Sequence, residues 1–422
     1  MTRIPAPSAI QHSLKASYYR GGTSRAVIIK PRNLPANRKK WPDIFRQIMG
    51  SGDPYGRQLD GMGAGVSSLS KICLVEKSPQ QQGPSSGAPH VDYTFVGMGI
   101  ENNEVDTAGN CGNMSSAIGP FAYNTNMLPK HLLNKQNGDI TVTIRNTNTN
   151  KLIDSTFSVL DGQAAVVGDY SIDGVAGSGS KIKLDFRDPY GSKTGKVLPT
   201  GNKVDKILDH QVTCVDGPNP AVFIRAADVG IDGTILPNDF AKLASKLQLL
   251  EKIRASAAVA MGLVSNASSV ARTIPKIGLV SASSTHQILS GTTLPASETD
   301  LVVRFLSDTQ PHRAIPLTAA LTTAIAARIP GTVVHDLLPP DPVMQNAITI
   351  GHASGKIQVN ATMDPKDPLV PQSASVYRTA KRLFRGKVYW VDRDGEPMEP
   401  LDKKDIKKDA IGQAFVDDCR EK

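Results

Sequence analysis

Short apolar runs separated by turn-forming residues are the feature that most constrains the fold of this chain. Its 422 residues include 36 glycines and 29 prolines, whereas aromatic residues supply only 5%. This spacing favours many short strands with tight turns over a bundle of long helices. The predicted strands are two runs within 16–30, split by a glycine turn, and further runs at 71–76, 92–98, 140–146, 156–168, 181–186, 276–281, 300–306 and 347–360.

Four segments interrupt the strands with helical patterns. Apolar residues at helical spacing predict the longest helix over 238–262, with Asn238 as its N-cap. The small-residue stretch 315–328 predicts a helix enclosed by sheet, and shorter helices are predicted near 39–49 and from Asn113 onward. The two halves therefore look alike in plan, with short strands around one or two enclosed helices.

The charge, cysteine content and missing motifs exclude several classes of protein. The formal net charge is +9, but the basic residues are scattered and no nucleic-acid recognition motif is present. A positive field is compatible with a small anionic substrate, because it raises the local concentration of anions. The four cysteines form no CxxC pair, which argues against a disulfide scaffold or zinc site and favours a reducing, cytoplasmic location.

Cofactor and membrane signals are missing as well. The sequence has no GxGxxG at a strand–helix turn, no HExxH, no GxSxG and no clustered metal ligands. No apolar run approaches the roughly 20 residues that a membrane span needs. We therefore expect no cofactor, no metal, no nucleic-acid partner and no membrane partner.

A glycine-bracketed cysteine is the clearest candidate for chemistry. Cys111 stands in the run Gly-Asn-Cys-Gly-Asn at 109–113, just before the helix predicted from Asn113. The free N–H groups of a helix start bind carboxylates and lower the pKa of a thiol. Cys111 is therefore a candidate acid/base thiol, with a buried structural cysteine as the alternative.

Three further runs are candidates for substrate contact. A Gly/Ser-rich loop over 60–70 leads into Lys71 at the start of a predicted strand, although a solvated lysine is the alternative. The run Arg20-Gly-Gly-Thr-Ser can hold a carboxylate through Arg20, or be an ordinary hairpin turn with an exposed arginine. His312 lies beside the helix predicted over 315–328.

Together these motifs resemble the methylaconitate isomerase family of PrpF-like proteins, whose fold is related to that of diaminopimelate epimerase. The matching stretches keep the family's order and are spread over most of residues 16–390. They are RGGTSRAV at 20–27, GSGDPYGRQLDGMGAGVSSLSKICLV at 50–75, VDTAGNCGNMSSAIGPFA at 105–122, VLPTGN at 197–202, NPAVFIRAADVGIDG at 219–233, PHRAIPLTAAL at 311–321 and IGHASGKIQV at 350–359.

The resemblance implies an α/β (α+β) fold of two similar domains, each a curved, mostly antiparallel sheet wrapped around a central helix. The expected division is a disordered extension over 1–15, an N-terminal domain over 16–205 and a C-terminal domain over 206–380. The segment 381–422 would return to the first domain and end in a charged tail. The active site would lie in the cleft between the domains, in a monomer or homodimer.

The resemblance also implies a set of site residues. Lys71 and Cys111 would be catalytic, and Ser354 in the second half would stand where epimerases of this fold carry a second thiol. The residues expected to bind substrate are Arg20, Thr23, Ser24, Met62, Ser67, Ser70, Asn110, Gly112, Asn113, His312, Gly351, His352, Ser354 and Gly355.

The implied reaction moves or inverts the double bond of a small unsaturated di- or tricarboxylic acid. A neutral Lys71 would remove an allylic proton, and N–H groups at Asn113 and around 351–355 would hold the dienolate. Lys71 or Cys111 would return the proton at the other allylic carbon. An ordinary lysine has a pKa of about 10.4 and an ordinary thiol a pKa of about 8.5. Whether Lys71 or Cys111 is the first base therefore stays open.

Two alternatives and the choice of acid stay open. A racemase or epimerase of the same fold would need two opposed acid/base groups, and a non-catalytic binder of small acids would not need both Lys71 and Cys111. Within the isomerase reading the candidate substrates are aconitate, 2-methylaconitate, 3-methylitaconate and 4-oxalomesaconate.

Overall fold

Strands dominate the computed structural model, which describes residues 9–82, 87–393 and 411–420. The strands of the first half are β1 (Ile10–Gly21), β2 (Ser24–Ile29), β3 (Lys71–Lys77), β4 (Val91–Met98), β5 (Val105–Asp106), β6 (Gly138–Asn146), β7 (Lys151–Leu160), β8 (Gln163–Ala164), β9 (Tyr170–Ser171), β10 (Ser178–Gly179) and β11 (Ile182–Arg187). Those of the second half are β12 (Asp205–Ile207), β13 (His210–Asp216), β14 (Pro220–Arg225), β15 (Lys276–Ala282), β16 (His286–Gln287), β17 (Thr293–Leu294), β18 (Leu301–Ser307), β19 (Gln310–Pro311), β20 (Ile348–His352), β21 (Gly355–Met363), β22 (Pro371–Arg378) and β23 (Ala380–Asp392).

Helices are few and mostly short. They are α1 (Trp41–Met49), α2 (Gly112–Asn124), α3 (Lys130–Leu133), α4 (Pro237–Phe240), α5 (Ala244–Ala260), α6 (Leu317–Ala327) and α7 (Ile411–Arg420). Among the described residues, no helix is long and apolar enough to cross a membrane.

The two halves repeat the same eight elements in the same order. The series β1-β2-β3-β4-α2-β6-β7-β11 in the first half matches β13-β14-β15-β18-α6-β20-β21-β22 in the second. Parallel and antiparallel pairings follow each other identically along both series. The last strands of the two series, β11 and β22, pair with each other antiparallel and join the halves into one sheet.

Each half encloses its own central helix. Every residue of α6 is buried, as is every residue of α2 except Asn124. One apolar core contains side chains of both helices, while separate cores lie under α1 with α7 and under α5, on the outer faces of the sheets. A helix that is buried on all sides needs small and apolar residues, which both sequences supply. The predicted fold class of two similar halves, each wrapping a mostly antiparallel sheet around a central helix, is confirmed.

Several predicted boundaries are wrong. Residues 10–15, predicted to be disordered, are strand, because β1 pairs along its whole length with β23 near the other end of the chain. The helix predicted over 238–262 is divided into α4 and α5, with Leu236 and Leu243 as the N-cap residues rather than Asn238. The strand predicted over 347–360 is the hairpin of β20 and β21.

The strand predicted over 156–168 is wrong at both ends, because β7 runs from Lys151 to Leu160, where a turn leads into β8. Residues 1–8 and most of the predicted charged tail lie outside the described residues. The domain division at 205 and 380 stays a prediction.

Candidate active site

A cavity between the starts of the two central helices collects most of the predicted chemistry. Strand ends and loops of both halves line it. Nine predicted residues line this central cavity: Ser24, Ser67, Ser70, Lys71, Asn110, Cys111, Gly112, Asn113 and His312. Lys71 and Cys111, predicted to act together, therefore share one enclosed space.

Cys111 is the N-cap residue of α2. Its backbone is extended and its side chain makes no capping hydrogen bond, so the N–H groups of Gly112 and Asn113 are left for a ligand, while the N–H of Met114 donates to the Cys111 carbonyl (3.0 Å). The thiol lies 3.8 Å from the hydroxyl of Ser24 on β2 and is partly exposed to the cavity. Tyr93 donates a hydrogen bond of 3.3 Å to the Cys111 carbonyl and fixes the turn from below.

Asn219 of the second half holds this turn in place. The backbone N–H of Asn110 donates to Asn219 Oδ1 (3.0 Å), and Asn219 Nδ2 donates back to the Asn110 carbonyl (2.8 Å). The same amide donates to the hydroxyl of Thr318 in the first turn of α6 (3.1 Å). One buried side chain therefore connects the two helix starts.

Lys71 opens β3 and is only 9% exposed. Its ammonium lies 5.1 Å from the centroid of the Phe95 ring, a cation–π contact. No carboxylate among the described residues is within ion-pair distance of it. A buried cation without a carboxylate is costly, so the site favours an anionic ligand beside Lys71.

The loop before Lys71 is held by hydrogen bonds rather than free. Ser70 donates to the side-chain oxygen of Gln58 (2.5 Å), which is itself completely buried. Ser67 donates to Ser307 of the second half (3.3 Å) and bridges the cavity. These contacts position Lys71 at the point where the loop becomes β3.

His312 supplies a neutral imidazole to the same cavity. Its Nδ1 accepts a hydrogen bond from the backbone N–H of Ala314 (3.0 Å), which leaves Nε2–H as the donor. Burial, together with the positive charges of Lys71 and Lys276, lowers the pKa of His312 to about 3, although the hydrogen bond from Ala314 acts in the other direction. The ring is therefore uncharged at neutral pH and can donate a hydrogen bond to a developing oxyanion.

Three ionisable residues of the second half, which were not predicted from the sequence, also line the central cavity. They are Lys276, which opens β15, and the ion pair of Arg272 with Asp308, in which Arg272 Nη1 lies 2.9 Å from Asp308 Oδ1. A signal for Lys276 is present in the sequence, because Lys-Ile-Gly-Leu-Val at 276–280 repeats Lys-Ile-Cys-Leu-Val at 71–75. Arg272 and Asp308 lie in separate loops and carry no comparable pattern.

The remaining predicted residues do not line the central cavity. Arg20 donates to the carbonyl and hydroxyl of Thr379, both at 3.0 Å, and Met62 packs against the core under α1. Thr23 and His352 line a second cavity on the other side of Asn113. Gly351, Ser354 and Gly355 belong to the β20–β21 hairpin, where the Ser354 hydroxyl donates to the Arg313 carbonyl. A substrate role for these seven residues stays a prediction that their placement does not support.

The assignment of Ser354 as the counterpart of Cys111 is wrong. In the repeat of elements, the residue that matches Cys111 is Pro316, the N-cap of α6. The two glycine-bracketed runs at 109–113 and 351–355 look alike in sequence, but the first precedes a central helix and the second is a hairpin turn. Neither Ser354 nor Pro316 is a thiol, so the cavity holds a single cysteine.

Comparison with known proteins identifies the family of this chain. The family described as PrpF protein matches residues 11–391. The 3-methylitaconate isomerase of Eubacterium barkeri is 37% identical over 380 residues, which cover 88% of this chain and 95% of that protein. The 2-methyl-aconitate isomerase of Cupriavidus necator is 33% identical over 411 residues, or 94% of this chain and all of that one.

A solved structure extends the likeness to the fold. The crystal structure of a methylitaconate-delta-isomerase superposes with a TM-score of 0.70 at 35% sequence identity, covering 90% of this chain and 96% of that chain. The predicted enzyme class, an isomerase, is confirmed by these relatives. The chain belongs to the PrpF family.

Proposed function

We propose that this isomerase moves the double bond of a small unsaturated di- or tricarboxylic acid by removing one allylic proton and returning another. The observation that carries the proposal is the shared cavity of Lys71 and Cys111, with the uncapped start of α2 beside them. The names of its relatives, which act on methylitaconate and methylaconitate, support the same substrate class.

The charges of the cavity support an anionic substrate. Lys71 and Lys276 are both buried, and neither has a carboxylate within ion-pair distance among the described residues. Arg272 lies on the same wall but is paired with Asp308 and Glu104. Carboxylates of a substrate would supply the missing counter-charges of the two lysines. An amino-acid substrate would bring an ammonium group against both lysines, which disfavours the racemase alternative.

The chemistry follows from the residues that line the cavity. A neutral amine or a thiolate removes a proton from the carbon next to the alkene, and the electron pair spreads into a dienolate. The N–H groups at the start of α2 and the Nε2–H of His312 are donors for the dienolate oxygen. Return of a proton at the far allylic carbon completes the shift, and no cofactor is needed to balance it.

Proton exchange into candidate acids tests the proposal. Aconitate, 2-methylaconitate, 3-methylitaconate and 4-oxalomesaconate are incubated with the enzyme in deuterium oxide and followed by NMR, with proline and diaminopimelate as racemase substrates. We expect exchange and isomerisation of at least one unsaturated acid and of neither amino acid. Lys71→Met and Cys111→Ser should each lower the rate by about 100-fold or more, as loss of an acid/base group does.

Lys77→Met is the matched control, because Lys77 lies at the exposed end of the same strand. It should exchange like the wild type. Wild-type rates in both site variants, or exchange of proline in place of the acids, would refute the proposal. We also propose a cytoplasmic enzyme that works as a monomer or homodimer. The sequence contains no CxxC pair, which supports the reducing compartment, and light scattering determines the assembly.

A further inference from the structure

Lys276 is the structural repeat of Lys71. Each lysine is the first residue of its strand, β3 or β15, and each strand runs parallel to the preceding strand of its series. Side chains alternate along a strand, and Cys73 and Val280 face the core of the central helices while Ile72 and Ile277 face away from it. Lys71 and Lys276 are thus on the inner faces of their sheets, at equivalent ends.

The two lysines meet in one cavity. Both line the space at the helix starts, Lys71 from the first half and Lys276 from the second. Lys276 is 8% exposed and donates hydrogen bonds to the carbonyl of Thr273 (3.0 Å) and the hydroxyl of Ser307 (3.4 Å). Both acceptors are uncharged, so nothing in these contacts requires the amine to stay protonated.

We infer that Lys276 is a second proton-transfer residue of the central cavity, which exchanges a proton with the allylic carbon that faces the second half. The inference rests on the proposed function and deepens it. A double-bond shift takes a proton from one carbon and gives a proton to another, and a pair of lysines on two walls can serve both carbons.

Electrostatic repulsion favours a state in which only one of the two lysines, Lys71 or Lys276, is protonated. Two ammonium groups in one buried space repel each other, so the state with one neutral and one protonated lysine is preferred. Burial, and after it the charge of Lys71, lower the pKa of Lys276 to about 8. About one-fifth of such a group is neutral at pH 7.4, against about 0.1% of an ordinary lysine.

Opposing charges limit this shift. Cys111, Asp106 and Asp308 act in the other direction and raise the pKa of Lys276. The carboxylates are themselves engaged, Asp106 by the backbone and hydroxyl of Thr273 and Asp308 by Arg272. The titratable and charged groups that face Lys276 are Lys71, Cys111, Asp106, Asp308, Arg272 and His312.

The step balances without a further reactant. The neutral lysine of the pair takes the allylic proton, its nitrogen lone pair forms the N–H bond, and the C–H electron pair enters the dienolate. The dienolate then takes a proton from the ammonium of the other lysine at the far carbon. One lysine ends protonated and the other neutral, and exchange with water restores the starting state.

Two substitutions separate proton transfer from charge. Lys276→Met removes the amine, whereas Lys276→Arg keeps a cation that cannot become neutral in a protein. We expect both variants to lose about 100-fold or more in kcat/KM, while Lys276→Arg binds the acid with a Kd within about threefold of the wild type. The wild-type kcat/KM should rise through an ionisation near 8, and this ionisation should be missing in Lys276→Arg.

Turnover of Lys276→Arg within about fivefold of the wild type would overturn the inference, because Lys276 would then only hold a carboxylate. A readout independent of activity is the NMR titration of lysine side chains labelled with carbon-13. Lys276 should titrate near 8 and shift upward in Lys71→Met, which removes the like charge. Titration at the value of an ordinary lysine would also overturn it. If Lys276 titrates as expected but no acid is isomerised, the proposed function fails, while the electrostatic coupling of Lys71 and Lys276 is confirmed.

Discussion

The starts of the two central helices hold equivalent places in the fold but differ in chemistry. Cys111 precedes α2 with a thiol, while Pro316 precedes α6 with a ring that carries no acid or base. The lysines at the strand starts, Lys71 and Lys276, are retained in both halves. The repeat therefore keeps its cations and varies the group at the helix start. The amine at the strand start is therefore common to both halves, whereas the thiol at the helix start is particular to the first.

The largest expected effect comes from breaking the link between the helix starts. Asn219→Ala would remove the amide that pairs with both backbone groups of Asn110 and with Thr318. Buried backbone groups left without partners cost about 1–3 kcal/mol each, so we expect a loss of about 3 kcal/mol in the free energy of unfolding. Urea denaturation measures it.

Asn202→Ala is the matched control, because Asn202 is exposed and its side-chain amide donates to Asp205 at the surface. Its change should stay within about 0.5 kcal/mol. An equally small effect of Asn219→Ala would mean that the two helix starts are held independently, and the comparison between them would lose its structural basis.

Sequence reasoning found the first half of the site and, apart from His312, missed the second for a physical reason. Cys111 and its neighbours are close in sequence, and the glycines that the turn requires make them visible. Lys276 reaches the cavity only through the pairing of β14 with β15, and its signal is a five-residue repeat about 200 residues away from Lys71. Register between distant strands is set by the whole sheet rather than by local residues.

The wrong assignments have the same origin. The family resemblance places Ser354 at the second thiol position, although only the order of the elements identifies Pro316 as the equivalent of Cys111. Residues 10–15 have no local sign of a strand, and their partner β23 is more than 360 residues further along the chain. The strand-rich plan and the motifs that carry the family resemblance were readable from local patterns, whereas long-range pairing was not.

A smaller effect is expected from a substitution at Gly112, where the first turns of α2 and α6 come close together. A Cβ at Gly112 would lie 2.6 Å from Leu317 Cδ2 and 3.1 Å from Thr318 Cγ2, at the first turn of α6. Alanine normally favours a helix over glycine by up to about 1 kcal/mol, but overpacking costs about 1–3 kcal/mol. We expect Gly112→Ala to lower the free energy of unfolding by about 1–2 kcal/mol.

A double-mutant cycle identifies the contact. Leu317→Val removes the clashing methyl group, so Gly112→Ala should cost less in that background than in the wild type. Gly386→Ala is the control, because the nearest atom to its Cβ would be 3.8 Å away. If Gly112→Ala and Leu317→Val change the free energy of unfolding additively, the strain lies elsewhere and the two helix starts can separate.

The smallest effect concerns the imidazole before the second helix. Burial lowers the pKa of His312 to about 3, against about 6.5 in the unfolded chain. Between these values the unfolded chain binds the proton and the native chain does not, so acid favours unfolding in this window. The free energy of unfolding therefore keeps the full contribution of neutral His312 above a pH of about 6.5 and loses it as the pH falls toward about 3.

The matched measurement compares His312→Gln with His131→Gln, which changes an exposed ring. Over two pH units, a proton that only the unfolded chain binds lowers the free energy of unfolding by about 2.7 kcal/mol. The partial exposure of His312 reduces this loss to about 1 kcal/mol. Between pH 7.5 and 4.5 the wild type and His131→Gln should therefore lose about 1 kcal/mol more stability than His312→Gln. Parallel pH curves for all three proteins would show that His312 charges freely in the native state. In that case the second helix start would offer a cation rather than a neutral donor, and both halves would meet the substrate with positive charge alone.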